Sequence, residues 1–124
     1  MERWSDDGGR TWSHPLRTPI WGYPPHLLKL RDGRILCSYG YRRDPMGIRA
    51  VLSADNGKTW DMDNVIILRD DGGAPGQFRK EGETGSGDLG YPISTQLSDG
   101  SILTAYYITL SDGITHSETT RWEI

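Results

Sequence analysis

The chain reads as an all-β protein of short antiparallel hairpins, on three observations. Asp-Gly sits between apolar runs in LLKLRDGRILCSY, STQLSDGSILTAYY and YITLSDGITHSE. Sixteen Gly and seven Pro among 124 residues interrupt the chain too often for long helices. The octapeptide SDDGGRTW, at 5–12, returns as SADNGKTW, at 53–60, after 48 positions.

The octapeptides come first in chain order. Asp7 stands two residues before Gly9, where its carboxylate can accept N–H groups of its own turn while Gly9 supplies a positive φ. Ser5 and Thr11 offer hydroxyls to the same loop, and Trp12 is expected to begin the next strand with a large ring to bury. Asp55, Gly57, Thr59 and Trp60 repeat these roles. Catalytic carboxylates come as a pair in unlike environments, whereas these two repeat one environment, so both are read as structural staples.

The Asp-Gly segments follow. A two-residue Asp-Gly loop suits a type I′ hairpin turn. The first two share a longer pattern: Leu30, Asp32, Gly33, Ile35, Leu36 and Tyr39 match Leu97, Asp99, Gly100, Ile102, Leu103 and Tyr106 at a constant offset of 67. Gly22-Tyr23-Pro24 and Gly90-Tyr91-Pro92 precede them. The strand IRAVLS then leads into the second octapeptide as ERWS leads into the first. The order is that of repeated supersecondary units with a period of roughly 50 residues. Residues 69–89, rich in Gly and charge and without periodicity, read as a long inserted loop. Gly85, Gly87 and Gly90 at its end spell G-x-G-x-x-G, but neither a preceding βαβ strand nor a following helix pattern supports a dinucleotide site.

Composition excludes several functions. A formal charge of −3 provides no basic stripe for a nucleic-acid backbone, and the Tyr and Trp residues form no stacking run with basic interleaving. No stretch approaches the roughly 18 apolar residues of a membrane span, and no signal-peptide pattern opens the chain, so a soluble protein is expected, its compartment open. Cys37 is the sole cysteine, which excludes an internal disulfide and reads as a buried thiol. His14, His26 and His116 are isolated, so neither a metal nor a cofactor is expected.

The octapeptides, with GYPPHLLKLRDGRILCSYGYR and DLGYPISTQLSDGSILTAYY, resemble the Asp boxes (BNR repeats) and inter-blade segments of sialidase-like (neuraminidase) six-bladed β-propellers. The resemblance implies a partial β-propeller, with residues 1–124 forming about two to two and a half four-stranded antiparallel blades of its C-terminal part. Such a piece is expected to expose sheet edges and to self-associate through them. By the same resemblance the complete protein is a sialidase-like glycoside hydrolase acting on a terminal acidic sugar of a sialoglycan-like carbohydrate, the piece alone being inactive. Two other readings stay open: a non-catalytic propeller binding glycan or protein, and a hydrolase or lyase of another specificity on the same scaffold.

The site residues follow from the resemblance. Tyr91 takes the place of the family's nucleophile, with Pro92 where Ser is common, or else lines the cleft. Tyr23 is its equivalent one unit earlier. Arg42, Arg43 and Arg49, in GYRRDPMGIRAVLS, lie where the family supplies a late carboxylate-binding Arg, Arg42 at the strand end being preferred and Arg49 equally readable as a surface residue. His26 stands at the mouth of an inner strand. Glu81, Glu83 and Asp88 are candidate acid/base substitutes or a solvated loop.

Overall fold

The structure, a computed structural model, describes residues 1–73 and 88–124. Its strands are β1 (Pro25–Lys29), β2 (Ile35–Tyr41), β3 (Met46–Ser53), β4 (Ile66–Gly72), β5 (Leu89–Gln96), β6 (Ile102–Thr109) and β7 (Thr115–Trp122). They form two antiparallel sheets, one of order β1-β2-β3-β4 and one of order β5-β6-β7. The all-β expectation holds; the finer one, a set of propeller blades, is not shown by these two sheets. Of the segment 69–89 expected to be a loop, Arg69–Gly72 finish β4 and Leu89 opens β5. Glu81, Glu83, Gly85 and Gly87 lie outside the described residues.

The Asp-Gly turns differ from the type I′ expectation. Leu30 donates its N–H to the Arg34 carbonyl at 2.8 Å, closing a three-residue loop in which only Gly33 has a positive φ. Leu97 and Leu110 close equivalent loops on Ser101 and Ile114. The aspartate works through its side chain: Asp32, Asp99 and Asp112 each accept the N–H two residues on, at 3.0, 3.0 and 2.8 Å. That bond favours a turn with one left-handed residue at its end, the three-residue hairpin loop.

Because side chains alternate across a strand, each sheet has two faces. On the inner face of the first sheet, Leu36, Ile48 and Ala50 are fully buried against Leu89, Ile102 and Ile108 of the second. Each buried Leu or Ile among them contributes about 1.5–3 kcal/mol by leaving water. A polar line crosses this apolar layer. Trp122 Nε1 donates to Thr104 Oγ1 at 3.0 Å, Thr104 bonds Ser94 Oγ at 2.9 Å, and Ser94 bonds Ser38 Oγ at 3.0 Å. All three hydroxyls are buried and all are satisfied, which fixes the register of one sheet on the other.

The outer face of the first sheet buries Cys37, Tyr39 and Val51 with Ile20, Trp60, Met62 and Val65. Burial pushes the Cys37 thiol up to about 12, as a structural cysteine requires.

Both octapeptides close as expected. Asp7 Oδ1 accepts the N–H groups of Arg10 and Thr11, each at 2.9 Å, and Oδ2 accepts the Thr11 hydroxyl at 2.6 Å. Asp55 repeats the Thr bonds with Thr59 at 2.8 and 2.6 Å, and the Ser5 and Ser53 hydroxyls take the Gly9 and Gly57 N–H at 2.7 Å. The second octapeptide joins β3 to β4 through a 3₁₀ turn, Met62–Asn64, so Trp60 does not begin a strand. Trp12 does not either, and its ring is 59 % exposed instead of buried. Trp60 differs because it packs on the Cys37, Tyr39 and Val51 cluster and donates Nε1 to Glu2 at 3.3 Å, whereas Trp12 donates Nε1 to the Gly9 carbonyl of its own loop.

Candidate functional site

Arginine and aromatic side chains gather where β2 ends and β5 begins. The gathering depends on close backbone approach: a Cβ on Gly40 would lie 2.9 Å from Gly90 Cα and 3.0 Å from the Tyr23 carbonyl. With Gly at 40, Tyr23 donates its N–H to the Gly40 carbonyl at 3.0 Å, and the strand ends converge.

The side chains form a continuous ladder. Arg49 lies over the Tyr41 ring at 3.5 Å, and Tyr41 meets Trp21 edge-on at 5.4 Å. Arg43 lies over Trp21 at 3.8 Å, and Trp21 meets Tyr23 edge-on at 6.1 Å. Arg42 is 5.2 Å from the Tyr23 ring centre. From there its Nε and Nη2 both donate to the Leu89 carbonyl, at 3.0 and 2.7 Å, and Nη2 reaches the Tyr107 hydroxyl at 3.4 Å. Tyr107 stacks on Tyr91 with ring centres 5.8 Å apart and planes 25° from parallel. Each cation–ring contact is worth about 0.5–1 kcal/mol where solvent reaches it.

Tyr91 is the unusual member. It has φ of 50°, and the β5–β6 register slips between Gly90 and Ile93, so Tyr91 and Pro92 occupy a bulge. A bulky side chain in the left-handed region costs about 1–3 kcal/mol and persists only where the surroundings impose it. Bulges re-aim side chains. This one leaves the Tyr91 ring 62 % exposed, beside Tyr23 at 45 %. Burial raises the Tyr107 hydroxyl above its ordinary range, and a hydrogen bond to Asp88 raises it further, so Tyr107 stays a protonated donor.

The structure thus unites five of the six residues singled out from sequence: Tyr91, Tyr23, Arg42, Arg43 and Arg49. His26 is engaged elsewhere, its Nδ1 accepting the Ser94 N–H at 3.3 Å and tying β1 to β5. Trp21, Tyr41 and Tyr107 were not singled out. Two of them mark departures between the repeats, Trp21 standing where the second copy has Leu89 and Tyr107 where the first has Gly40.

No protein-family profile matches the chain, and no curated protein does. Among solved structures it is similar to a protein of unknown function from Dyadobacter fermentans DSM 18053, at 37 % identity and a TM-score of 0.78. The match covers 98 % of this chain and 30 % of that one, so the chain spans less than a third of its solved relative. These findings overturn the assignment to the sialidase-like superfamily: the matched structure is a protein of unknown function, and the described residues form a small two-sheet all-β domain. The physical reason lies in the octapeptide. Its repeated Ser, Asp, Gly and Thr serve hydrogen bonds inside one loop, so it identifies a turn and not the protein that contains it. The nucleophile role of Tyr91 rested on that resemblance and loses its basis with it. Among the described residues, no helix is long and apolar enough to cross a membrane.

Proposed function

We propose that the arginine–aromatic end is a non-catalytic binding site for a carboxylated sugar residue of an acidic glycan. The observation that carries the reading is Tyr91, held in a costly backbone conformation with its ring exposed and backed by Tyr107. Exposed aromatic rings supply flat apolar surface against which the C–H face of a sugar stacks, and guanidinium groups bind a carboxylate through paired N–H donors. Arg42 is held in place by the Leu89 carbonyl, and Arg43 is exposed beside it. Preorganised donors of this kind lose little freedom on binding. An acidic protein with three guanidinium groups at one end also attracts an anion there.

The test is calorimetric titration with an oligosaccharide ending in a uronic acid, beside its neutral counterpart. Binding of the acidic form, weakened at least about tenfold in Arg42→Ala, supports the reading, since a charge-assisted pair is worth about 1.5–3 kcal/mol. Equal affinity for both sugars, or none for either, removes it.

A further inference from the structure

We infer that Asn56 is a site of spontaneous deamidation held shut by the folded second octapeptide, so that opening this loop lets it convert irreversibly and keeps it from closing again.

Asn56-Gly57 is the one Asn-Gly pair of the chain. In such a pair the Gly nitrogen, shielded by no side chain of its own, attacks the carbon of the Asn side-chain amide. A C–N bond forms there, and the side-chain nitrogen leaves as ammonia, taking up the proton that the Gly N–H gives away. The product is a cyclic imide. Water then opens it at either carbonyl, leaving aspartate or the isomer whose main chain runs through the side-chain carbon. Nothing is oxidised or reduced, and water is the only co-reactant.

The closed loop withholds the attacking nitrogen. Asn56 is exposed, but Gly57 is buried, and its N–H donates to Ser53 Oγ at 2.7 Å. Trp4 covers the same residue so closely that a Cβ on Gly57 would lie 2.9 Å from its ring. Ser53 is fixed in turn, donating to Asp55 Oδ1 at 2.8 Å, and Asp55 is held by the Thr59 N–H and hydroxyl. Attack therefore requires the N–H to leave Ser53 and meet base from solvent, and its rate follows the population of opened loop.

Asn56 itself suits the closed turn, since its φ of 61° lies in the left-handed region that Asn tolerates better than most residues. The isomer does not suit it. An added main-chain carbon between Asp55 and Thr59 parts the carboxylate from the groups it accepts, and an unfolded chain altered in this way refolds no further. The first octapeptide is exempt, because Gly8, with φ of 74°, stands where the second has Asn56. The other asparagine, Asn64, precedes Val65, whose branched side chain shields the nitrogen.

Peptide mass spectrometry of the whole chain, incubated at mildly alkaline pH with and without guanidinium chloride, tests this. Asn56 should convert at least about tenfold more slowly in the folded chain than in the unfolded one. In folded Ser53→Ala, which leaves the buried Gly57 N–H unpaired, conversion should be at least about fivefold faster than in the folded parent. Should Ser53→Ala lose the parent far-ultraviolet circular dichroism, Thr59→Ala, which loosens the same loop from its other end, replaces it. The yield of refolded parent on dilution should fall in step with conversion, and stay constant in Asn56→Gly, which copies Gly8. Equal rates in folded and unfolded parent, a folded loop variant that converts no faster than the parent, or a yield that falls alike in Asn56→Gly overturns the inference.

Discussion

Tyr91→Gly separates a residue kept for binding from one kept for stability. Replacing the tyrosine releases a left-handed backbone worth about 1–3 kcal/mol. Against this, the stack on Tyr107 is worth about 0.5–1.5 kcal/mol, and glycine costs a further ~0.5–1 kcal/mol by freeing the unfolded chain. The ring is 62 % exposed, so little burial is forfeited. These contributions nearly cancel, and unfolding in urea should move by no more than about 1 kcal/mol, while acidic-sugar binding is lost. Tyr91→Ala supplies the control, because it removes the ring and keeps the strain. It should be less stable than Tyr91→Gly by about 1 kcal/mol, the cost of a Cβ in the left-handed region. A loss above about 2 kcal/mol in Tyr91→Gly would place the residue among the structural ones, since losses of that size come from disrupted cores.

Gly40→Ala should weaken both the fold and the site: its Cβ meets backbone at Gly90 and Tyr23, and the strain of overpacking, about 1–3 kcal/mol, is read from a urea midpoint. Acid should loosen the octapeptides in a defined window. The Thr11 and Thr59 hydroxyls, then their N–H groups, hold Asp7 and Asp55 at about 2 against an ordinary 3.8. Carboxyls lowered by folding stabilise it above the unfolded value and cease to do so as pH falls through the folded one, so melting temperature should drop between about pH 4 and 2, less steeply in Asp7→Asn/Asp55→Asn. Cys37, with its thiol near 12 and its side chain buried, should resist a thiol reagent at neutral pH until denaturant opens the chain; prompt labelling of folded protein would contradict the burial.

Local patterns in the sequence were legible where their physics is local. Asp-Gly between apolar runs marked the three hairpins that join β1 to β2, β5 to β6 and β6 to β7. The loop type was misread because Asp32 acts through its side chain, which a count of loop residues does not reveal. The exposure of Trp12 and half-burial of Trp60 turn on the Cys37, Tyr39 and Val51 cluster that Trp60 alone meets, and were not legible from the octapeptides alone. The site was partly legible. Tyr23 and Tyr91 shared the Gly-Tyr-Pro signal and the arginines clustered at a strand end, but Trp21 and Tyr107 needed attention to where the repeats disagree. His26 lies apart from the ladder because its partner, Ser94, arrives from the other sheet. The family assignment failed for a related reason: a self-contained turn motif says little about what surrounds it.

The most direct measurement is nuclear magnetic resonance of the ¹⁵N-labelled chain, following the Arg42 and Arg43 Nε–H signals and the ring protons of Tyr91 and Tyr107 as a uronic-acid oligosaccharide is added. Shifts confined to these groups, and absent with the neutral sugar, are the predicted result. Signals that stay still, or shifts that map to another part of the molecule, would contradict the assignment of this end as the binding site.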